Sequence, residues 1–240
     1  MPDDTTPIRL YVTEQFVSVQ GEGTLTGVPS TFVRLGGCNL RCSWCDTPYS
    51  SWKPEGEHID LDVLVEQIAG ESPRHVVLTG GEPMLQAGAV PLTRALAARG
   101  FHITVETAGT VDAPLHIDLA SISPKMSDST PSAPSAWVTR HEATRSRPAV
   151  VARLVRDHPH QLKFVVGDNT DFAELERFVA AVEAELGAAI APEHILLMPR
   201  GRDPRTLDAN LARAVPAAMA RGWRITDRLH VRLFGDTRGT

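Results

Sequence analysis

Short apolar runs alternate with amphipathic stretches through most of this chain, and that alternation constrains the fold more than any other feature. Thr31-Phe32-Val33-Arg34-Leu35 reads as a strand ended by Gly36-Gly37. Residues 59–69 place Leu61, Leu64, Val65 and Ile68 at helical spacing, and residues 75–79 form a short apolar strand. The pattern then predicts a helix over 91–99, strands over 102–106 and within 115–122, a strand over 161–166 and an amphipathic helix over 171–186 opened by Asp171. A strand over 194–198, a helix over 206–220 and a last strand over 228–234 complete the series. Residues 8–19, with Val12, Phe16, Val17 and Val19, supply a leading strand. Strand–helix alternation at this spacing makes an α/β fold, a parallel sheet with helices outside it. About six parallel strands are too few to close an eight-fold barrel, so an open or partial β/α barrel is expected. The Ser-, Pro- and Thr-rich stretch at about 123–148 reads as a long loop, with a short helix near 148–156. No repeat or boundary signal divides the chain, so residues 1–240 are expected to form a single domain.

The chain has three cysteines, Cys38, Cys42 and Cys45, in a C-x3-C-x2-C arrangement directly after the Gly36-Gly37 turn. Three thiolates on one tight loop can each hold one iron of a 4Fe-4S cube. Such cubes commonly use four cysteines. With no fourth cysteine, one iron stays open to a chelating small molecule. A structural zinc site is the competing reading, but zinc closes its four positions with Cys or His, and no C-x2-C…H-x3-H pattern follows. A thioredoxin-like C-x-x-C pair is disfavoured by the third cysteine. Gln20-Gly21-Glu22-Gly23 breaks the leading strand with two glycines in three residues, the mark of a loop whose backbone meets a ligand.

The cysteine motif after a strand, followed by Val77-Leu78-Thr79-Gly80-Gly81-Glu82-Pro83 after the next one, resembles the radical S-adenosylmethionine (SAM) superfamily. Phe16-Val17-Ser18-Val19-Gln20-Gly21-Glu22-Gly23, Phe32 to Cys42, Trp44-Cys45-Asp46-Thr47, Ser123-Pro124-Lys125 and Leu162-Lys163-Phe164-Val165-Val166 resemble the 7-carboxy-7-deazaguanine synthase family within it. That resemblance implies conversion of 6-carboxy-5,6,7,8-tetrahydropterin to 7-carboxy-7-deazaguanine with loss of ammonia, on the way to queuosine. Reductive cleavage of SAM would give a 5′-deoxyadenosyl radical that abstracts hydrogen from the pterin C6 and later returns it, so that SAM is a true cofactor.

The same resemblance implies a set of site residues. Cys38, Cys42 and Cys45 would bind the cluster, and Thr47 a magnesium ion, which prefers oxygen ligands. Trp44, Cys45, Asp46, Gly81, Ser123, Pro124, Lys125, Met198, Pro199, Arg200 and Gly201 would meet SAM, with Glu106 a further candidate. Val19, Gln20, Gly21, Arg34, Thr79 and His230 would meet the pterin. From the residues alone, Gln20 offers a donor and an acceptor to an aminopyrimidinone. Arg34, on a strand that otherwise reads as buried, needs a partner that is either a substrate carboxylate or a structural ion pair. Thr47 by itself reads as a turn hydroxyl beside Pro48, and His230 as either a substrate ligand or a satisfied structural histidine. The chain runs on past His230 to Thr240, where well-known members end sooner, which puts a role for the terminus in doubt. A flavodoxin or ferredoxin is the expected reductant, and a homodimer the expected assembly.

Two other functions compete. A glycyl-radical-enzyme activase would use the same cluster but needs a surface for a peptide loop, against which the Gln-Gly-Glu-Gly loop and Asp46-Thr47 argue. An iron–sulfur electron carrier has no use for an open iron or for Gly80-Gly81-Glu82-Pro83. The formal net charge of -5 gives no electrostatic case for nucleic acid or an anionic membrane surface. The acidic, polar start MPDDTTPIRL lacks a signal-peptide pattern, no apolar run is long enough to span a bilayer, and the clustered thiols make no disulfide framework, so a cytoplasmic location is expected.

Overall fold

The computed structural model describes residues 7–132 and 135–240. β1 (Arg9–Val19) pairs antiparallel with β2 (Pro29–Leu35). After the short helix α1 (Pro48–Ser51), β3 (Glu57–Asp60) lies antiparallel on the outer side of β1 and leads into α2 (Leu61–Ala69). From β2 onward all neighbours are parallel. β4 (His75–Gly80), α3 (Ala89–Ala98), β5 (His102–Thr107) and β6 (Leu119–Ile122) come first. Then follow α4 (Ser135–Arg145), α5 (Pro148–Asp157), β7 (His160–Val166), α6 (Phe172–Leu186), β8 (Ile195–Pro199), α7 (Pro204–Arg221), β9 (Arg224–Ile225) and α8 (Leu229–Phe234). The sheet order is β3-β1-β2-β4-β5-β6-β7-β8-β9, and its edges β3 and β9 do not meet, so the barrel is open. Six full parallel strands and the two-residue β9 match the expected fold class.

Period-two alternation gives this sheet two unlike faces. Val33 and Leu35, Val76 and Leu78, Ile103 and Val105, and Leu162, Phe164 and Val166 point outward into one core. There they meet Leu64 and Ile68 of α2, Leu92 and Leu96 of α3, Leu154 of α5 and Leu175 and Val182 of α6. Each fully buried Leu or Ile contributes about 1.5–3 kcal/mol. The intervening residues Arg34, Thr79, Glu106, Ser121 and Lys163 face the other way and line a cavity. Register sets them side by side: Arg34 lies opposite Thr79, and Glu106 opposite Ser121. Helix ends follow ordinary rules: Asp171 and Asp203 cap α6 and α7 by accepting from Ala173 and Thr206 backbone N–H groups.

Several expectations differ from the structure. Residues 228–234 are not a strand but the helix α8. Six residues fit either period, and here the Leu229 N–H donates to the Gly21 carbonyl rather than to a sheet. The 123–148 stretch is not all loop, because it holds α4, whose weak apolar face leaves little periodic signal. β3 was hidden at the head of the 59–69 helix, and only Leu119–Ile122 of 115–122 is strand.

Candidate active site

The cavity of about 440 Å³ opens at the carboxyl ends of the parallel strands, where α/β sheets collect ligands. The loop after β2 carries the cysteines into it. Cys42 is buried with Leu40 and Ala108, and Cys38 and Cys45 pack against that group. The loop is held by its neighbours: Ser43 N–H donates to Ser129 O at 2.8 Å, Trp44 Nε1 to Asp128 O at 3.1 Å, and Asn39 Nδ2 to Thr110 Oγ1 at 3.0 Å. Buried His141 accepts the Arg41 backbone N–H at its Nδ1, 3.1 Å away. Burial pushes the Cys38 thiol up to about 11 and the Cys42 thiol to about 12, so iron must displace both protons on binding.

The residues fit an iron–sulfur cube. All three sulfurs line one cavity, and among the described residues no three His, Cys, Asp or Glu side chains converge to chelate a single ion. Gly80 and Gly81 bring bare backbone beside them. A Cβ on Gly81 would lie 2.2 Å from Gly37 O and 2.8 Å from Cys38 Cβ, and Gly80 has φ +145 with Leu35 O where its Cβ would be. Glu82 fixes this turn. Its buried carboxylate accepts from Thr107 Oγ1, Ala108 N and Met84 N, while its own N–H donates to Gly37 O. Burial nevertheless raises its pKa above the ordinary value.

The other face of the cavity is a charged network that joins distant parts of the chain. Lys163 Nζ lies 2.5 Å from Glu22 Oε2 and 3.8 Å from Glu106 Oε1, with its side chain only 4% exposed. Arg228 reaches Glu22 through Nε at 3.0 Å, Asp46 through Nη2 at 2.6 Å and Gly201 O through Nη1 at 2.7 Å. Burial pulls the Glu22 carboxyl upward, but Lys163 and Arg228 outweigh it and hold the group far below the usual range. Burial likewise works against the Lys163 charge, and Glu22 and Glu106 overcome it. Both residues are therefore ionised.

The cavity gathers Val19, Gln20, Gly21, Arg34, Thr47, Thr79, Gly81, Glu106, Ser123, Lys125, Met198 and His230 with the cysteines, Trp44 and Asp46. Pro199, Arg200 and Gly201 line an adjoining hollow of about 350 Å³ that shares Trp44, Cys45, Asp46 and Met198. Pro124 is buried behind Ser123 and lines neither. Several side chains are already engaged. Gln20 Nε2 donates to Glu106 Oε1 at 3.2 Å, and its Oε1 accepts the Glu22 N–H at 3.1 Å. Thr79 Oγ1 donates to Glu106 Oε2 at 3.0 Å. Arg34 has a structural partner, Glu14, 2.7 Å from its Nε; among the described residues its Nη groups carry no hydrogen bond. Lys125 Nζ donates to Ser123 O and Oγ, beside the Trp44 ring. His230 sits on α8 so close to the loop that a Cβ on Gly21 would lie 1.9 Å from its Nδ1, and burial lowers its pKa, which keeps the ring neutral.

Sequence reasoning missed Glu22, Lys163, Arg228 and Arg202. Arg202 donates to Cys45 O at 3.0 Å. One signal was present: Lys163 interrupts an apolar strand just as Arg34 does. Residues 235–240 also line the cavity, and Arg238 ties them down through Glu14 and Glu55 and over the Tyr49 ring.

The radical SAM superfamily profile matches residues 32–125. The 7-carboxy-7-deazaguanine synthase of Halobacterium salinarum is 44% identical over 234 residues, covering 95% of this chain and 91% of that protein. The Rhodopirellula baltica enzyme of the same name is 43% identical over 234 residues, covering 96% and 89%. The crystal structure of QueE from Escherichia coli superposes with a TM-score of 0.63 at 25% identity, covering 92% of this chain and 95% of that one.

Proposed function

The chain belongs to the 7-carboxy-7-deazaguanine synthase family of radical SAM enzymes, and from that premise we propose how its cavity works and which of its residues do so. It is a lyase of the queuosine pathway. Its reaction takes 6-carboxy-5,6,7,8-tetrahydropterin to 7-carboxy-7-deazaguanine. Substrate and product differ by ammonia alone, so the conversion is redox neutral overall. The observation that carries the residue assignments is the gathering of three thiols, two bare glycines and a buried carboxylate–cation network around one cavity.

Cys38, Cys42 and Cys45 would hold a 4Fe-4S cluster, with SAM bound beside it. When bound, the pair supplies the organic radical that starts the reaction. Trp44, Asp46, Gly81, Ser123 and Lys125 contact SAM, and Met198, Pro199, Arg200 and Gly201 receive its far end; Pro124 sets the turn behind Ser123. The open Nη edge of Arg34 takes the pterin carboxylate. Glu22, held ionised by Lys163 and Arg228, and Glu106 accept hydrogen bonds from the aminopyrimidinone edge. Gln20 and Thr79 orient those carboxylates, while Val19, Gly21 and neutral His230 wall the ring. Thr47 would offer its hydroxyl oxygen to a magnesium ion, a cation that prefers oxygen ligands.

The chain acts as one domain, working as a homodimer in the cytoplasm with a flavodoxin or ferredoxin as electron donor. Among the described residues no helix is long and apolar enough to cross a membrane. The test is anaerobic reconstitution followed by dithionite, SAM, magnesium and the carboxytetrahydropterin. The deazapurine chromophore is expected with the wild type and not with Cys42→Ala. SAM cleavage without any deazapurine would remove the substrate assignment.

A further inference from the structure

Starting this reaction needs one electron from outside, because the three cysteines provide for one cluster and the chain shows no second redox centre motif. The donor must approach the cluster loop from a side that the substrate cavity does not occupy. Arg41 lies within that loop yet lines neither hollow. Its Nη1 donates to Cys38 O at 2.9 Å and Leu40 O at 2.6 Å, and the Leu40 N–H reaches Cys38 Sγ at 3.4 Å. On its other side the guanidinium carbon sits 3.9 Å from the centre of the Trp137 ring, and Arg140 sits 4.9 Å from the same ring.

Two cations on one indole repel each other, and among the described residues neither has a carboxylate partner. Arg145, on the same helix, shows the ordinary arrangement: it is neutralised by Glu142 and Glu174. With 29 acidic residues and a net charge of -5, the chain is not short of carboxylates to place there. Positive charge at this spot, with no carboxylate beside it among the described residues, is what an acidic partner would complement. The patch is also rigid. His141 of α4 accepts the Arg41 N–H at Nδ1 and meets Ser129 Oγ at 2.9 Å through Nε2, so α4 and the cluster loop hold one geometry. Arginine and tryptophan are the residues most often found to dominate binding energy at protein interfaces.

We propose that Arg41, Trp137 and Arg140 form the docking patch for an acidic one-electron carrier protein that delivers its electron to the cluster loop. This rests on the radical SAM reading above. The test titrates the reconstituted enzyme with flavodoxin, an acidic flavin carrier, at low and high salt, and compares wild type with Arg140→Glu and Trp137→Ala. Turnover is measured in parallel with flavodoxin and with dithionite, a small reductant that needs no docking. Arg140→Glu is expected to weaken flavodoxin binding about tenfold or more at low salt and to flatten its salt dependence. Dithionite-driven turnover should stay within about twofold of wild type. Unchanged binding in both variants would overturn the patch, and so would an equal loss of turnover with both reductants, which would show that α4 merely braces the loop. A wild type silent with dithionite would strike at the reaction itself, and the binding titration then decides the patch alone.

Discussion

Replacing Lys163 with methionine tests whether the charged wall of the cavity is held as the structure indicates. Methionine keeps the unbranched stem and most of its packing but removes the cation 2.5 Å from Glu22. Breaking a buried ion pair by removing one partner costs about 3–5 kcal/mol, mostly from the charge left behind. Glu22 keeps Arg228 Nε at 3.0 Å, and Glu106 keeps Gln20 and Thr79, so the expected loss is at the low end, about 3 kcal/mol. Urea denaturation of the cluster-free protein at pH 7 measures it. In a Glu22→Gln background the same change should cost at least about 1 kcal/mol less, since the pair no longer exists. Glu22 titrates lower when folded than when unfolded. Its stabilisation is therefore complete above about pH 4.5 and fades as pH falls, so the gap between wild type and Lys163→Met should narrow below that value. A loss under about 1 kcal/mol, or no coupling in the cycle, would show that Lys163 and Glu22 do not form a buried pair in solution.

Other perturbations probe other parts. His75 is buried against Ser30 Oγ at 2.6 Å and Thr104 Oγ1 at 2.8 Å, and burial lowers its pKa to about 4. Stability should be full above pH 6.5 and fall by up to about 3 kcal/mol as pH drops to about 4; His75→Gln should lose that dependence in acid denaturation curves. Gly81→Ala forces a methyl into Gly37 O and should cut the iron bound per chain on reconstitution, measured by iron analysis. Arg34→Lys should preserve folding through Glu14 but raise the KM for the pterin about tenfold, because an ammonium cannot grip a carboxylate with two parallel bonds.

The strands and the cysteine loop were legible because their signals are local. Alternation marks Thr31 to Leu35 and its parallel neighbours, and the three cysteines sit within eight residues. Asp171 likewise announced α6 within one turn. The charged network was illegible for the opposite reason: Lys163 is 141 residues from Glu22, and Arg228 is 206 residues from it. Spacing carries no trace of such pairs, and only a lysine inside an apolar strand hinted at one. α4 escaped because its sequence, with polar Thr, Arg, His and Glu spread around it, has almost no apolar face, and what it packs against, the cluster loop, lies a hundred residues away. His230 lines the cavity from a helix rather than from the expected strand, since a six-residue segment fits both periods.

The proposed reaction is a redox-neutral rearrangement in which SAM is returned unchanged after each turnover. Its most direct test supplies the reconstituted, reduced enzyme with excess carboxytetrahydropterin and a limiting amount of SAM, then counts deazapurine, ammonia and 5′-deoxyadenosine. A returned SAM gives deazapurine well in excess of the SAM added, ammonia equal to deazapurine, and little deoxyadenosine. Product that never exceeds the SAM supplied, with deoxyadenosine formed in step, would contradict it.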